Sequence, residues 1–221
     1  MILSKFINAD NRKVVCLQFG LGLVGKAIYN SLKANAKSSK IIVQEKINWE
    51  KIESVKPSIN KVNDAVVETY TLDKNIDFEI IWSAGKVGVS SIEDECENEL
   101  RFFKESIQSL LSQLYKFNNL IIHFILISSA GGLFEGQSFI NKDAKPTPKR
   151  PYRNYKLAQK KFLSTLVNSS IESKIIYRPS SVFSIHNNTG RKGLLTVLFE
   201  NDIIIANQLL QEQKMPKEIM Y

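Results

Sequence analysis

Cysteine is scarce in this sequence. Its 221 residues include two, Cys16 in an apolar run and Cys96 in an acidic segment, and the pair offers neither a disulfide framework nor the clustered spacing of a metal site. We read both as reduced thiols and expect no metal. Long apolar stretches are missing too: the longest, Leu120 to Ile127, carries His123 and is far too short to span a bilayer. Met1 to Lys13 has no apolar core followed by a small-residue cleavage site. No membrane is expected, and the chain is placed in the cytoplasm. Nucleic acid is a partner that a net charge of +8 could suggest. The basic residues Lys142, Lys145, Lys149, Arg150, Arg153, Lys156, Lys160 and Lys161, however, come without regularly interleaved aromatics or a recognisable nucleic-acid motif. A solvated face, or attraction to a phosphorylated small molecule, is the expectation instead. No internal repeat is visible.

What is present begins with VVCLQFGLGLVGKA, residues 14 to 27. A short apolar run with β-branched residues reads as a buried parallel strand, and it stops in Gly20-Leu21-Gly22-Leu23-Val24-Gly25 before an apolar-periodic helix. In a dinucleotide site Gly20 permits a sharp turn, Gly22 leaves room for a pyrophosphate, and Gly25 lets the helix approach the strand, with helix N-terminal amides facing the anion. Gly20, Gly22, Leu23, Val24 and Gly25 are therefore candidate cofactor residues. A second strand reads over 40–45 and ends at Glu45, twenty residues beyond Gly25, where an acid commonly holds the adenosine ribose. That suggests NAD, while Lys46 beside it leaves NADP open. Residues 46–75 are poorly legible: 51–55 and 64–72 read as helical, Pro57 reads as a break, and no third strand is evident.

Further along, 78–82 is a strand ending in Ser83-Ala84-Gly85, small residues that let a cofactor come close. An amphipathic helix over 93–117 has an acidic first turn. Residues 120–127 form a buried strand, in which His123 reads as a core histidine, closed by Ser128-Ser129. A loop over 131–150 is long enough to be a lid, a helix spans 151–167, and 175–177 is a last short strand. This alternation predicts an α/β fold, a Rossmann-type doubly wound parallel sheet, with ligands at the carboxyl ends of the strands. With 43% hydrophobic residues the chain suffices for one sizeable core. Residues 1–184 are assigned to this domain and 185–221 to a short C-terminal substrate region. The helices over 93–117 and 152–167 carry more apolar residues than one sheet face covers, so a homodimer is expected.

Tyr152 and Lys156 are four apart at a helix start and share a face, so the ammonium can lie near the phenol and lower its pKa. The spacing alone proves little, since Tyr29/Lys33 and Tyr70/Lys74 match it. Only Tyr152 follows a serine-ended strand and opens a helix. A hydroxyl such as Ser129 can orient a reacting oxygen while Tyr152 gives or takes its proton.

Three segments, Phe124 to Ala130, Pro151 to Leu157 and Tyr177 to Phe183, resemble the serine strand, the proline-tyrosine-lysine helix and the arginine-proline strand end of the extended short-chain dehydrogenase/reductase superfamily. This is the superfamily of nucleotide-sugar epimerases and dehydratases, and its bacterial surface-polysaccharide members are the most similar. The resemblance covers residues 14 to 200. It implies a bound NAD(P), a catalytic Ser129, Tyr152 and Lys156, and Lys156 on the nicotinamide ribose. Ser83, Ala84 and Gly85, with Pro179 and Ser181, would line the cofactor, and Lys86 and Ser128 would face the substrate. The family's Gly-Asp pair near the adenine is not visible in 46–75. Ala130-Gly131 stands where sugar 4,6-dehydratases carry Asp-Glu, which disfavours elimination. Family members usually continue further, which leaves open whether the sugar site is complete. The expected function is an NAD(P)-dependent oxidoreductase or epimerase acting on a nucleotide sugar through a keto intermediate. The alternatives are a non-catalytic NAD(P)-binding protein and a truncated, inactive family member.

Overall fold

The computed structural model of the chain describes residues 1–48, 55–72, 76–117, 120–129, 145, 149–167 and 170–179. All lie in one compact unit, Met1–Ser180. Ala130, Ser181, most of the 131–150 loop, all but Val55 of the helix expected over 51–55, and the region 185–221 lie outside the described residues.

The chain opens with a strand that the sequence reading missed. β1 (Ile2–Ile7) turns through residues 8–12 into β2 (Lys13–Phe19). In the turn, Asn8 N–H donates to Arg12 O (2.9 Å), Asn11 N–H donates to Asn8 O (3.0 Å), and Asn11 takes a left-handed φ of 65°, which asparagine tolerates. β1 is antiparallel to β2, with Ile2 opposite Gln18 and Ile7 opposite Lys13. It is also antiparallel to β3 (Ser38–Gln44). The six-stranded sheet runs β3-β1-β2-β4-β5-β6. From β2 onward, β4 (Asp77–Trp82), β5 (Ile121–Ile127) and β6 (Ile171–Tyr177) are parallel neighbours. The expected doubly wound parallel sheet is thus present with one correction: an antiparallel strand is wedged between β2 and β3.

Helices lie on both faces. α1 (Leu23–Asn35) sets Ile28, Tyr29 and Leu32 against Phe6, Cys16 and Ile81 on one side. On the other, α2 (Val55–Leu72), α3 (Glu93–Leu114) and α4 (Pro151–Thr165) bury the larger core, which includes Leu17, Phe19, Ile80, Trp82, Phe103, Phe124 and Leu163. Phe19 stacks on Trp82 at 4.6 Å between ring centroids, and Phe103 meets Trp82 edge-on at 4.8 Å, a geometry that adds to simple burial. Pro57 does not break this layer. It is the third residue of α2, within the first turn, where the missing N–H has no intrahelical acceptor to lose.

One further expectation changes. The basic run from 142 to 161 is not one solvated face, because Arg153 and Lys156 are buried. Among the described residues, no large hydrophobic side chain within α3 or α4 is exposed, so the expected homodimer is not argued from an apolar face on these helices. His123 is half-buried and its Nδ1 pairs with Ser173 Oγ at 2.8 Å across β5 and β6, as a core histidine should. None of the described helices is long and apolar enough to cross a membrane.

Candidate functional site

Because β2, β4, β5 and β6 are parallel, their carboxyl ends share one edge, and the sequence-identified segments gather there. The glycine turn follows β2. Gly20 has φ of +85°, and a Cβ on it would lie 2.5 Å from Ala84 Cα, so glycine is required both by conformation and by the close approach of the turn after β4. A Cβ on Gly25 would stand 2.0 Å from Gly20 O, which is how tightly α1 packs back on the turn. Gly22 differs: a Cβ there meets nothing within 4 Å. It is the N-cap of α1 with φ of −71° and no side-chain cap, and the first turn, which opens with the half-buried Leu23 and Val24, holds no acidic residue. Uncapped N–H groups at the positive end of a helix, beside open space, suit an anion.

Two side chains lock this turn. Gln18 Nε2 donates to Gly25 O (2.7 Å), with Gly20 O and Ser83 Oγ each at 3.3 Å. Ser83 Oγ reaches Gly20 O (2.8 Å) and Phe19 O (2.9 Å). Ser83 and Ala84 thus abut the glycine turn. Gln18 was not foreseen.

Glu45 is not brought to the turn. It lies one residue past β3, and β1 separates β3 from β2, so two strand spacings, roughly 10 Å, intervene. Its carboxylate accepts from Lys61 Nζ (2.9 Å) and Ser58 Oγ (3.3 Å), and the bond from Lys61 holds its carboxyl below the usual range.

At the end of β5, Ser128 N–H donates to Tyr177 O (2.7 Å). Its buried hydroxyl has no hydrogen-bond partner among the described residues, and Ser129 next to it is half-buried. Pro179, just past β6, is half-buried as well. Proline at the first position of α4 begins the helix that carries Tyr152 and Lys156. Lys156 Nζ lies 5.7 Å from the Tyr152 ring centroid and 4.9 Å from that of Tyr155, so the structure brings the expected pair together. Lys156 is 6% exposed, and burial pulls its pKa down to about 8, against an opposing pull from Glu99.

Tyr155, the other tyrosine of this turn, is committed elsewhere. It is buried, its hydroxyl donates to Glu99 Oε1 (2.7 Å) and accepts from Gln159 Nε2 (2.8 Å), and burial followed by the Glu99 charge raises its pKa well above the ordinary value. Glu99 also accepts from the backbone N–H groups of Lys86 (2.6 Å) and Val87 (3.1 Å). These bonds tie α3 and α4 to the turn after β4, and a Cβ on Gly85 would press on Glu99 at 2.6 Å. Glu99 and Gln159 are site residues that sequence reading missed. Glu99 follows closely on the acidic first turn Glu93, Asp94 and Glu95, which gives no sign in sequence that this carboxylate is buried.

The glycines supply a test that separates binding from folding. Gly22→Val should leave the melting temperature near that of the parent, since its side chain enters open space. Gly25→Ala should destabilise by about 1–3 kcal/mol or more, as overpacking against a backbone oxygen does. Thermal unfolding of the two variants checks this, and equal losses would refute the geometry.

No protein-family model and no curated protein matches the chain. Solved structures do. RMD from Pseudomonas aeruginosa, complexed with NADPH, aligns with a TM-score of 0.52 and 22% identity over 75% of this chain and 53% of its own. A hypothetical dTDP-4-dehydrorhamnose reductase from Sulfolobus tokodaii aligns at 0.50 and 18% identity, over 78% and 57%. The UDP-glucose 4-epimerase of Thermus thermophilus, in complex with NAD, aligns at 0.48 and 17%, over 80% and 59%. The chain thus spans a little over half the length of these proteins. At such identities the likeness to the first two is one of fold: the chain has a Rossmann-type α/β architecture.

Proposed function

We propose that the chain is an NAD(P)-dependent oxidoreductase or epimerase acting on a nucleotide sugar through a keto intermediate. The observation that carries this reading is the pairing of a buried Lys156 with a half-buried Tyr152 on the sheet edge that also holds the open Gly22 cradle. The cradle, whose space a Cβ would fill, fits a pyrophosphate, and Gly20, Gly22, Leu23, Val24 and Gly25 would hold it, with Ser83, Ala84 and Gly85 alongside. A bound nicotinamide would supply the acceptor or donor of a hydride. Tyr152 then carries the proton of the sugar hydroxyl, and the Lys156 ammonium favours the phenolate and binds the nicotinamide ribose. Ser129 orients the reacting oxygen, with Ser128 and Lys86 toward the sugar. A binding protein without turnover would use the same glycine turn but would give the Tyr152 and Lys156 pair no task.

Gly22→Val, whose side chain enters open space, should abolish dinucleotide binding in a calorimetric titration. Binding equal to the parent's would remove the cofactor reading. Turnover of a panel of UDP- and dTDP-sugars with each dinucleotide, followed by nicotinamide absorbance and product identity, tests the activity; no change with any sugar would favour a binding role.

Glu45, expected to repel a 2′-phosphate, is not assigned that task in this reading, because β1 holds it a strand further away and Lys61 neutralises it. Glu45→Gln should leave the ratio of NAD to NADP affinities within about twofold of the parent's. A larger shift toward NADP, measured by the same titration, would restore Glu45 to the ribose.

A further inference from the structure

Lys156 is a buried cation to which, among the described residues, no carboxylate is bonded. Its Nζ donates to Gln159 Oε1 (3.3 Å), Gln159 Nε2 donates to Tyr155 Oη (2.8 Å), and Tyr155 Oη donates to Glu99 Oε1 (2.7 Å). Every donor in this chain points the same way, from ammonium to carboxylate. The amide of Gln159 has only one workable orientation, because turning it over would set its NH₂ against a lysine that cannot accept. Gln159 is fully buried, and Tyr155 and Lys156 nearly so. In so dry a place hydrogen bonds of one polarity strengthen one another, and a broken link leaves a costly unpaired group.

We propose that Glu99 is the positioning residue for Lys156, holding its ammonium in place and in charge through Tyr155 and Gln159. The inference rests on the reading of Lys156 as the lysine that serves Tyr152 and the cofactor. The titratable groups around Lys156 are Cys96 and Glu99 from α3 and Tyr152 and Tyr155 from its own helix. The Cys96 thiol is pushed up to about 11, mainly by burial, and Tyr155 is raised further out of reach, so Glu99 supplies the negative charge at neutral pH. Its other two bonds, from the amides of Lys86 and Val87, fix the carboxylate to the turn that abuts the glycine cradle. One carboxylate thereby sets the lysine and the cofactor-facing turn relative to each other.

The test reads the lysine itself. In the whole chain with ¹³C-labelled lysine and no added dinucleotide, the Lys156 resonance, assigned by its loss in Lys156→Met, is followed against pH. The parent should titrate near 8, and Glu99→Gln, which keeps the shape, should move the midpoint down by roughly one unit. If Glu99→Gln does not fold, Gln159→Met decides the same question, because it removes the last link and leaves the Lys86 and Val87 bonds intact. A midpoint unchanged from the parent's, in whichever variant folds, overturns the proposal. A titration of the parent with NAD(H) and NADP(H) runs alongside. Failure of both to bind removes the cofactor reading, while the lysine midpoints still decide the role of Glu99.

Discussion

Tyr152→Phe should lower turnover by about 10²-fold to 10⁴-fold, the usual worth of a positioned acid or base, while dinucleotide affinity stays near the parent's. The substitution keeps the ring that Lys156 faces and removes only the hydroxyl. An ordinary phenol, with a pKa near 10, moves protons poorly at neutral pH, and a lysine ammonium beside it favours the phenolate. Tyr155 lies even closer to Lys156, at 4.9 Å against 5.7 Å, so proximity alone would choose the wrong residue. Solvent access and hydrogen bonding choose the other way. The Tyr155 proton is given to Glu99 in a buried site, so releasing it would place two negative charges side by side, whereas Tyr152 is half-buried. Tyr155→Phe should accordingly show as lost stability, about 1–3 kcal/mol for a buried acceptor left unsatisfied, with a smaller effect on turnover. Steady-state rates and denaturant unfolding of both variants separate the two roles. Near-normal turnover by Tyr152→Phe would sink the mechanism even with the fold intact.

What the sequence disclosed and what it hid divide along the range of the interactions. The strand, turn and helix around Gly20 to Gly25, the buried run that became β5 and the start of α4 at Pro151 are local patterns, and each stands in the structure within a few residues of its expected bounds. β1 is different. Ser4 and Lys5 interrupt its apolar run, and nothing in ILSKFI tells that it will insert between two strands that the expected fold would set side by side. That choice is made by pairing with β2 on one edge and β3 on the other, and it is why Glu45 has the right spacing in sequence yet a different neighbour in space. Glu99 was hidden in the opposite manner. Its helix is acidic at the start, so a carboxylate there looks solvated, and only the packing of α3 against α4 shows that this one is turned inward.

Lys156→Met should uncouple stability from function. The ammonium titrates near 8 in the folded chain against 10.5 as the ordinary value, so between those values the unfolded chain binds more protons than the folded one. Stability from this group must then rise with pH through that window and be lost as pH falls toward 8. A shift of this size corresponds to about 3 kcal/mol, carried at neutral pH as the penalty for a buried charge that Gln159 only partly relieves. Other groups oppose it at higher pH. The Cys16 and Cys96 thiols and the Tyr155 phenol, all raised by burial, favour unfolding once their unfolded counterparts ionise. The raw profile of the parent therefore mixes both signs, and the informative quantity is its difference from Lys156→Met. In denaturant unfolding that difference should move in the parent's favour by about 2 kcal/mol between pH 7 and pH 9.5. At neutral pH two effects oppose each other in the variant, relief of a buried charge and loss of the donor to the buried Gln159 Oε1, so its stability should stay within about 2 kcal/mol of the parent's. Dinucleotide affinity and turnover should both fall if, as proposed, the ammonium serves ribose and phenol together. A variant that lost stability at pH 7 while keeping its affinity would show Lys156 to be a structural cation and would leave Tyr152 without the neighbour on which its acidity depends.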